Sequence, residues 1–398
     1  MSQNLNNFIN QIVSFTFESS PSIIRVDSIS DNVNFPPHQS IKLCPDDSKK
    51  ILFAYTQGDG LIRVGESNGK KRIKNILGEF LKYKSDDYNG LLNFFDQYGF
   101  LFNTKSDSFQ KLELKTLTRI HNRLNALLEL INCVNDVEET NVKRIIELSL
   151  YLLFEDEWSI ELNTGDYITS TKYSLKDTID YALDVHEKDH RLEVIKKGTF
   201  TVNDALYGDV ELTDSIYREI VNGPTNKSGW DDFRFKSLTY LYANYDFKNN
   251  EEKEIIHLLF NFFFKVGIPK EITHDNVSYF SHYNYQAFDE FTFLDYALDM
   301  AKYIIKKELE HHLINIRPLY DADNMQPRWS VPSLLDALYF SIFYLDSKTQ
   351  MYRQCKYCGR YFTVKRSNTT KIYCDGWCRN NSQQSRHRIK SKKAPRMD

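Results

Sequence analysis

Residues 355–381 read CKYCGRYFTVKRSNTTKIYCDGWCRNN and contain four of the six cysteines of this 398-residue chain. The four are arranged as a C-x2-C pair and a C-x3-C pair with fifteen residues between the pairs. Two close pairs of thiolates, separated by enough chain for a hairpin, can surround one zinc ion tetrahedrally. The spacing therefore predicts one structural Zn²⁺, with four ligands: Cys355, Cys358, Cys374 and Cys378.

The residues around the cysteines predict a sequence of local elements. Gly359 follows the first pair and can adopt the positive φ of a tight turn. Residues 361–364 and 371–374 are β-prone and flank a polar turn, so they are predicted to pair as a hairpin. Cys374 and Cys378 are predicted to lie at the start of a helix, where the positive helix end favours thiolates. Knuckle, hairpin and helix in this order resemble a treble-clef zinc finger.

Within that class the segment is similar to FCS-type and CGNR-type fingers, whose second cysteine pair runs into a basic helix. The resemblance rests on residues 373–381, with Arg-Asn-Asn at 379–381 in the place of Gly-Asn-Arg, and on the Leu/Ala/Tyr-rich helix predicted at 333–344. It implies a bacterial protein whose C-terminal finger binds DNA in transcription regulation. It also implies a larger N-terminal body that senses a small-molecule or protein ligand.

The distribution of charge points to a polyanionic partner for this finger. Residues 351–398 contain thirteen Lys or Arg and two Asp, a net charge of +11, and the remaining residues carry −14 of the overall −3. Such asymmetry favours nucleic acid, with DNA preferred on the resemblance. Two alternatives remain open: the basic end docks on its own acidic body, or some of its charge only offsets the −2 of a zinc tetrathiolate.

Candidate nucleic-acid contacts are the basic and amide side chains of the finger and its helix. Arg and Gln suit base edges, and Lys suits phosphates. Positions 379, 383, 386 and 390 recur at spacings that place them on one helix face. The candidate set is Arg360, Lys365, Arg366, Arg379, Gln383, Arg386, Arg388, Lys390, Lys392 and Lys393.

The aromatic residues of the finger are predicted to pack as a miniature core, because so small a module needs them for folding. They are Tyr352, Tyr357, Tyr361, Phe362, Tyr373 and Trp377.

The whole chain is predicted to be α+β, with a mostly α-helical body, a small α/β N-terminal part and the C-terminal treble-clef finger. Its predicted domains are 1–110, 111–350 and 351–398, with residues 1–70 mixed α/β. The β-prone runs at 51–55 and 61–64 predict a hairpin. Ser85 is predicted to cap a helix that ends at Gly99. Residues 315–330 are a predicted connector before a helix that starts at Ser330 and Pro332. Apolar periodicity predicts further helices near 115–134, 138–154, 230–245, 251–265 and 288–313.

Composition excludes several other classes. The chain is 41% hydrophobic and 14% aromatic, which is enough for packed cores. The first residues lack a secretory signal, the apolar runs are too short to span a membrane, and the cysteines are too clustered for an extracellular disulfide framework. A cytoplasmic protein without a membrane partner is therefore expected.

One motif suggests an alternative activity. Residues 186–190 read HEKDH, which matches the H-E-x-x-H signature of zinc hydrolases. The charged residues at both x positions are unusual for the buried helix that carries such sites. Phosphate-binding glycine loops and nucleophile elbows are absent from the sequence. The chain is therefore not expected to be an enzyme, and the main alternative to nucleic-acid binding is a structural zinc module for protein–protein interaction.

Overall fold

A computed structural model of the chain describes residues 16–28, 39–56, 60–67, 70–83, 87–135, 141–188, 212–223, 226–244, 250–280, 290–322, 325–345, 347, 349–368 and 370–393. It is a mixed helix-and-sheet protein with two compact units. Unit 1 comprises Met1–Leu128, Trp158–Ser170 and Leu309–Asp398, and unit 2 comprises Glu129–Glu157 and Thr171–Glu308. The division into three consecutive domains stays a prediction.

The elements are numbered in chain order. The strands are β1 (Thr16–Ser19), β2 (Ser22–Ser28), β3 (Gln39–Pro45), β4 (Ile51–Thr56), β5 (Gly60–Ser67), β6 (Lys70–Asn75), β7 (Gln110–Glu113), β8 (Ser159–Glu161), β9 (Tyr167–Thr169), β10 (Pro269–Ile272), β11 (Val277–Tyr279), β12 (Arg317–Asp321), β13 (Gln326–Ser330), β14 (Gln350–Gln354) and β15 (Tyr361–Lys365). The helices are α1 (Ile76–Phe80), α2 (Tyr88–Tyr98), α3 (Leu114–Val134), α4 (Val142–Phe154), α5 (Ser174–Lys188), α6 (Asp214–Val221), α7 (Phe233–Asn244), α8 (Asn250–Lys265), α9 (Glu290–Leu313), α10 (Leu334–Phe343) and α11 (Gly376–Lys393).

The N-terminal part of unit 1 consists of two antiparallel sheets, ordered β1-β4-β5-β6 and β2-β3-β7. Strand β4 shows the two-residue period of a half-buried strand: Ile51, Phe53 and Tyr55 are buried, whereas Leu52 is exposed. The predicted hairpin is confirmed as β4 and β5, and its turn at 57–59 lies outside the described residues. The described residues before 71 form strands and turns, and residues 1–15 and 29–38 lie outside the described residues, so the mixed α/β character of 1–70 stays a prediction.

Local side chains set the helix boundaries of unit 1. Asp87 caps α2, because its Oδ1 accepts from the Gly90 amide at 2.9 Å. The cap predicted at Ser85, which lies outside the described residues, is therefore wrong. Gly99 ends α2 with φ of 90°, as predicted. Ser333 caps α10 by accepting from the Asp336 amide at 3.1 Å, so α10 begins later than predicted.

The predicted connector at 315–330 contains an antiparallel hairpin, β12 with β13. Its prolines, Pro318 and Pro327, argued against strands in the sequence. A two-stranded sheet consists entirely of edge strands, and a proline is tolerated on an edge because the missing N–H costs no ladder bond there. The connector prediction is therefore wrong.

Helix α10 packs on β5 and carries the chain towards the cysteine segment. The Leu61 amide donates to Ser341 Oγ at 3.0 Å, and the rings of Tyr55 and Phe340 lie 5.4 Å apart, edge to face. Farther along, β14 pairs with β15, and β15 contacts α1. A Cβ built on Gly78 in α1 would lie 1.9 Å from the carbonyl oxygen of Tyr361. The cysteine segment is therefore packed against the N-terminal part of unit 1.

The close contact between Gly78 and Tyr361 predicts that a substitution which usually stabilises a helix will destabilise this protein. Glycine to alanine within a helix ordinarily gains up to about 1 kcal/mol. We expect Gly78→Ala to lose about 1–3 kcal/mol instead, because the new methyl group overlaps the backbone of β15. Gly376→Ala in α11, where nothing lies within 4 Å of the added Cβ, is the matched control and should be neutral or stabilising. Local hydrogen exchange around each substituted position of the full zinc-loaded chain measures both, and equal effects would contradict the packing.

Unit 2 is mainly helical, with α4–α8, most of α9 and the hairpin of β10 and β11. Its core is rich in phenylalanine; for example, the rings of Phe235 and Phe260 stack with centroids 6.3 Å apart. The helices predicted near 138–154, 230–245, 251–265 and 288–313 are confirmed here, with ends shifted by a few residues. No helix within the described residues of either unit combines the length and apolar character needed to cross a membrane.

Candidate metal centre

The first cysteine pair lies in the turn between β14 and β15. The Gly359 amide donates to the Cys355 carbonyl, and the Cys355 amide donates to the Arg360 carbonyl, both at 2.9 Å. Gly359 has φ of 72°, as the sequence predicted. Cys355 is buried and Cys358 is partly buried. The knuckle is thus built on a hairpin whose strands flank it directly.

The hairpin predicted between 361–364 and 371–374 is wrong, because β15 pairs with β14. Residues 371–375 form no strand and cross the knuckle instead. The Lys356 amide donates to the Ile372 carbonyl at 3.1 Å, and Arg353 Nη1 donates to the Lys371 carbonyl at 3.1 Å. These bonds take the backbone groups that a second β-ladder would need, and they carry Cys374 back to the first pair.

The second cysteine pair lies at the start of α11, as predicted. Asp375 Oδ1 accepts from the Cys378 amide at 2.7 Å, which satisfies one of the unpaired N–H groups at the helix end. Cys374 precedes the helix and Cys378 lies in its first turn. The two cysteines are four positions apart across the start of the helix, and this spacing brings their sulfurs close together.

The four sulfur atoms all lie within 4.8 Å of one another. Cys358 and Cys374 are separated by 3.7 Å and Cys374 and Cys378 by 3.4 Å between sulfurs. Zinc–sulfur bonds of about 2.3 Å in a tetrahedron require sulfur separations of about 3.8 Å. The cluster is therefore compatible with a zinc ion, and the predicted convergence of the four cysteines is confirmed.

The acidity of the thiols shows why a cation suits this cluster. The hydrogen bond with Cys374 lowers the pKa of Cys358 to about 5 and raises the pKa of Cys374 above the ordinary value. Burial raises the pKa of Cys378 to about 12. One sulfur ionises easily and then opposes ionisation of its neighbours, whereas a divalent ion would stabilise all four thiolates together.

A buried carboxylate connects the knuckle to α1. Arg360 Nε lies 2.7 Å from Glu79 Oε1, and Lys82 Nζ lies 3.1 Å from Glu79 Oε2. The Glu79 side chain is only 3% exposed. Burial opposes the charge on Arg360, but Glu79 and the nearby cysteine sulfurs raise its pKa above the ordinary value. No sequence pattern links Glu79 to this centre, since Glu79 and Arg360 are far apart along the chain.

The aromatic residues divide into two groups. Tyr352 and Phe362 are buried, and Phe362 packs with Val364, Cys355 and Cys378. Tyr357 and Trp377, in contrast, are 41% and 56% exposed, and their rings meet edge to face with centroids 5.8 Å apart. Each is the chain neighbour of a candidate ligand, and consecutive side chains point in different directions. The prediction that these two belong to the miniature core is therefore wrong.

The predicted nucleic-acid residues lie in different surroundings. Arg360 is engaged by Glu79, and Arg366 Nε donates to the Ser347 carbonyl at 2.7 Å. Lys365, Arg379 and Gln383 are exposed. The backbone of α11 is helical to Lys393, but the side chains of five candidates lie outside the described residues: Arg386, Arg388, Lys390, Lys392 and Lys393.

The other candidate sites are less complete. His186 lies in α5, with its side chain outside the described residues, and His190 is outside them altogether. In the described part of the chain, the four cysteines are the one group of three or more metal-binding side chains that converges. Unit 1 also contains a groove of about 750 Å³ lined in part by His312, Asp336 and Arg317. Burial raises the pKa of Asp336 to about 6 and lowers that of His312 well below its ordinary value.

No protein-family model matches the chain, and no curated protein or solved structure matches it. The resemblance to CGNR-type and FCS-type fingers therefore rests on sequence pattern alone, in the cysteine segment and in the helix that precedes it.

Proposed function

We propose that one structural zinc ion, bound by Cys355, Cys358, Cys374 and Cys378, folds the C-terminal segment into a treble-clef-like module that binds nucleic acid, with DNA as the preferred partner. The observation that carries the proposal is the convergence of the four sulfurs within 4.8 Å. Zinc would supply structural coordination, since all four positions of a tetrahedron are taken by protein ligands and none is left for a substrate.

Charge supports nucleic acid as the partner. The segment from residue 351 has a net charge of +11, and a zinc tetrathiolate of charge −2 would leave it strongly basic. Helix α11 extends this charge away from the metal centre, with Arg379 and Gln383 exposed in its first half. A helix of 18 residues is long enough to follow a groove or a strand of phosphates.

The proposal predicts salt-dependent binding to DNA. With about five phosphate contacts, the plot of log affinity against log salt concentration should have a slope of about −4 to −5. Fluorescence anisotropy of the zinc-loaded full chain with a labelled 20-base-pair duplex measures this slope. An affinity that does not change with salt would contradict the proposal.

Charge reversal locates the binding surface. We expect Arg386→Glu with Lys390→Glu to weaken binding at least about tenfold and to flatten the slope by about two. Lys253→Glu with Lys270→Glu, at exposed positions of unit 2, changes the net charge equally and is the matched control. Equal losses in both double variants would show that only overall charge matters.

A second candidate function has its own support. Arg360 binds Glu79, and β15 packs against α1, so the module is also built as a structural cap on unit 1. If the module is only a structural cap, the Arg386 and Lys390 reversals should change neither DNA binding nor folding.

The sensing role expected for the body is supported by the groove in unit 1, whose volume suits a small organic molecule.

A further inference from the structure

Two exposed aromatic rings stand beside the metal centre. Trp377 is 56% and Tyr357 41% exposed, and the two rings contact each other across the gap between the knuckle and the start of α11. Single exposed aromatics are ordinary on protein surfaces and need no explanation. Two that meet edge to face, each adjacent in sequence to a zinc-ligand candidate, form one continuous apolar surface beside the candidate metal centre.

The charged residues next to Tyr357 and Trp377 indicate which class of ligand would bind there. Lys356 precedes Tyr357, Arg379 follows Cys378, and both basic residues are exposed. A neutral apolar ligand or a second copy of this segment would gain nothing from these cations, and a second copy would be repelled by them. A ligand with flat apolar faces and a polyanionic backbone complements both features, and such a ligand is a nucleic acid.

We propose that Tyr357 and Trp377 form a stacking platform for unpaired bases of single-stranded nucleic acid, an inference that rests on the nucleic-acid binding proposed above. In a duplex the faces of each base are covered by the neighbouring base pairs, so the platform has nothing to stack on. In a single strand an unpaired base can turn onto an indole or phenol ring while its phosphates contact the flanking cations. Single strands are therefore bound more tightly than a duplex.

The experiment compares three probes on the zinc-loaded full chain: a thymidine 20-mer, a 20-mer of abasic sites and a 20-base-pair duplex. The abasic strand retains the phosphates and lacks the bases. Trp377→Ala is expected to weaken binding of the thymidine strand by about 5- to 100-fold and to leave the other two probes unchanged. Tyr357→Ala acts in the same direction. Tyr181→Ala, at a 62% exposed tyrosine of unit 2, is the matched control.

Two conservative variants, Trp377→Phe and Trp377→Leu, keep the test decisive if Trp377→Ala fails to fold. Both keep an apolar side chain at this position, and zinc content with circular dichroism checks the module. The phenylalanine variant is expected to retain most of the preference for the thymidine strand, and the leucine variant is expected to lose it. The difference in tryptophan emission between the wild-type chain and Trp377→Phe isolates Trp377, and the thymidine strand is expected to quench it.

The outcomes separate this inference from the proposed function. Equal binding of all three probes, with no effect of Trp377→Ala, overturns the platform and leaves phosphate binding by the module in place. Equal weakening of all three probes also overturns it, because that result indicates general damage to the module. Absence of binding to every probe overturns both the inference and the proposed function.

Discussion

We expect Cys378→Ser to abolish zinc binding and to unfold residues 350–393. A structural zinc site contributes about 10–16 kcal/mol to the folding of a small module at neutral pH, more than this small core can replace. Cys378 is buried among Cys355, Phe362 and Val364, so the variant loses packing as well as a ligand. Elemental analysis should give one zinc per wild-type chain and none for the variant.

Hydrogen exchange shows where the damage lies. The amides of β14 and β15 should lose their protection in the Cys378→Ser variant, whereas the helices of unit 2 should keep theirs. Cys133→Ser, at a partly buried thiol of unit 2, is the matched control and should retain one zinc. A wild-type stoichiometry of two would point to a second site, such as the H-E-x-x-H sequence. An unchanged exchange pattern after loss of the metal would refute the structural role.

The second large effect is expected from Glu79→Ala. It leaves the guanidinium of Arg360 partly buried without its carboxylate, and removal of one partner of a buried pair costs about 3–5 kcal/mol. Lys82→Ala removes the outer partner of the same carboxylate. Since Glu79 then still pairs with Arg360 and no buried charge is left uncompensated, that variant should lose less than about 1 kcal/mol.

Local hydrogen exchange in β14 and β15 measures both changes, because a global unfolding free energy is poorly defined for a chain with two units. Glu79→Ala should still bind one zinc, since Glu79 is not a ligand. The double variant Glu79→Ala with Arg360→Ala should recover part of the loss by removing the unpaired cation. If the two single variants have equal effects, the pair of Glu79 with Arg360 contributes no more than the pair of Glu79 with Lys82.

The metal centre could be predicted from the sequence because its ligands are close along the chain. The spacing of the four cysteines, the turn at Gly359 and the helix start at Cys378 are all local, and the structure agrees with each. The hairpin register was not predictable in the same way. Residues 371–374 are as β-prone as 350–354, so local propensity does not decide which of them pairs with β15.

The contrast between local patterns and contacts of distant residues also explains why other helices were predicted correctly and other features were missed. Long apolar stripes, as in α3 and α9, identified helices with good accuracy because their period is intrinsic to the segment. Glu79 and Gly78 could not be recognised, since their roles exist only after Arg360 and Tyr361 arrive. The exposure of Trp377 was likewise invisible, because composition alone does not show whether an aromatic side chain faces a core or the solvent.

Unit 1 is held together by contacts between segments that are far apart along the chain. The bond from the Leu61 amide to Ser341 joins residues 280 positions apart, and the contact of Gly78 with Tyr361 is similarly remote. During translation the first sheets are made well before α10 and β15, so the faces that receive these two elements stay uncovered until the later segments emerge from the ribosome. A chain truncated before α10 would therefore expose incomplete apolar sheet faces, and such faces favour aggregation.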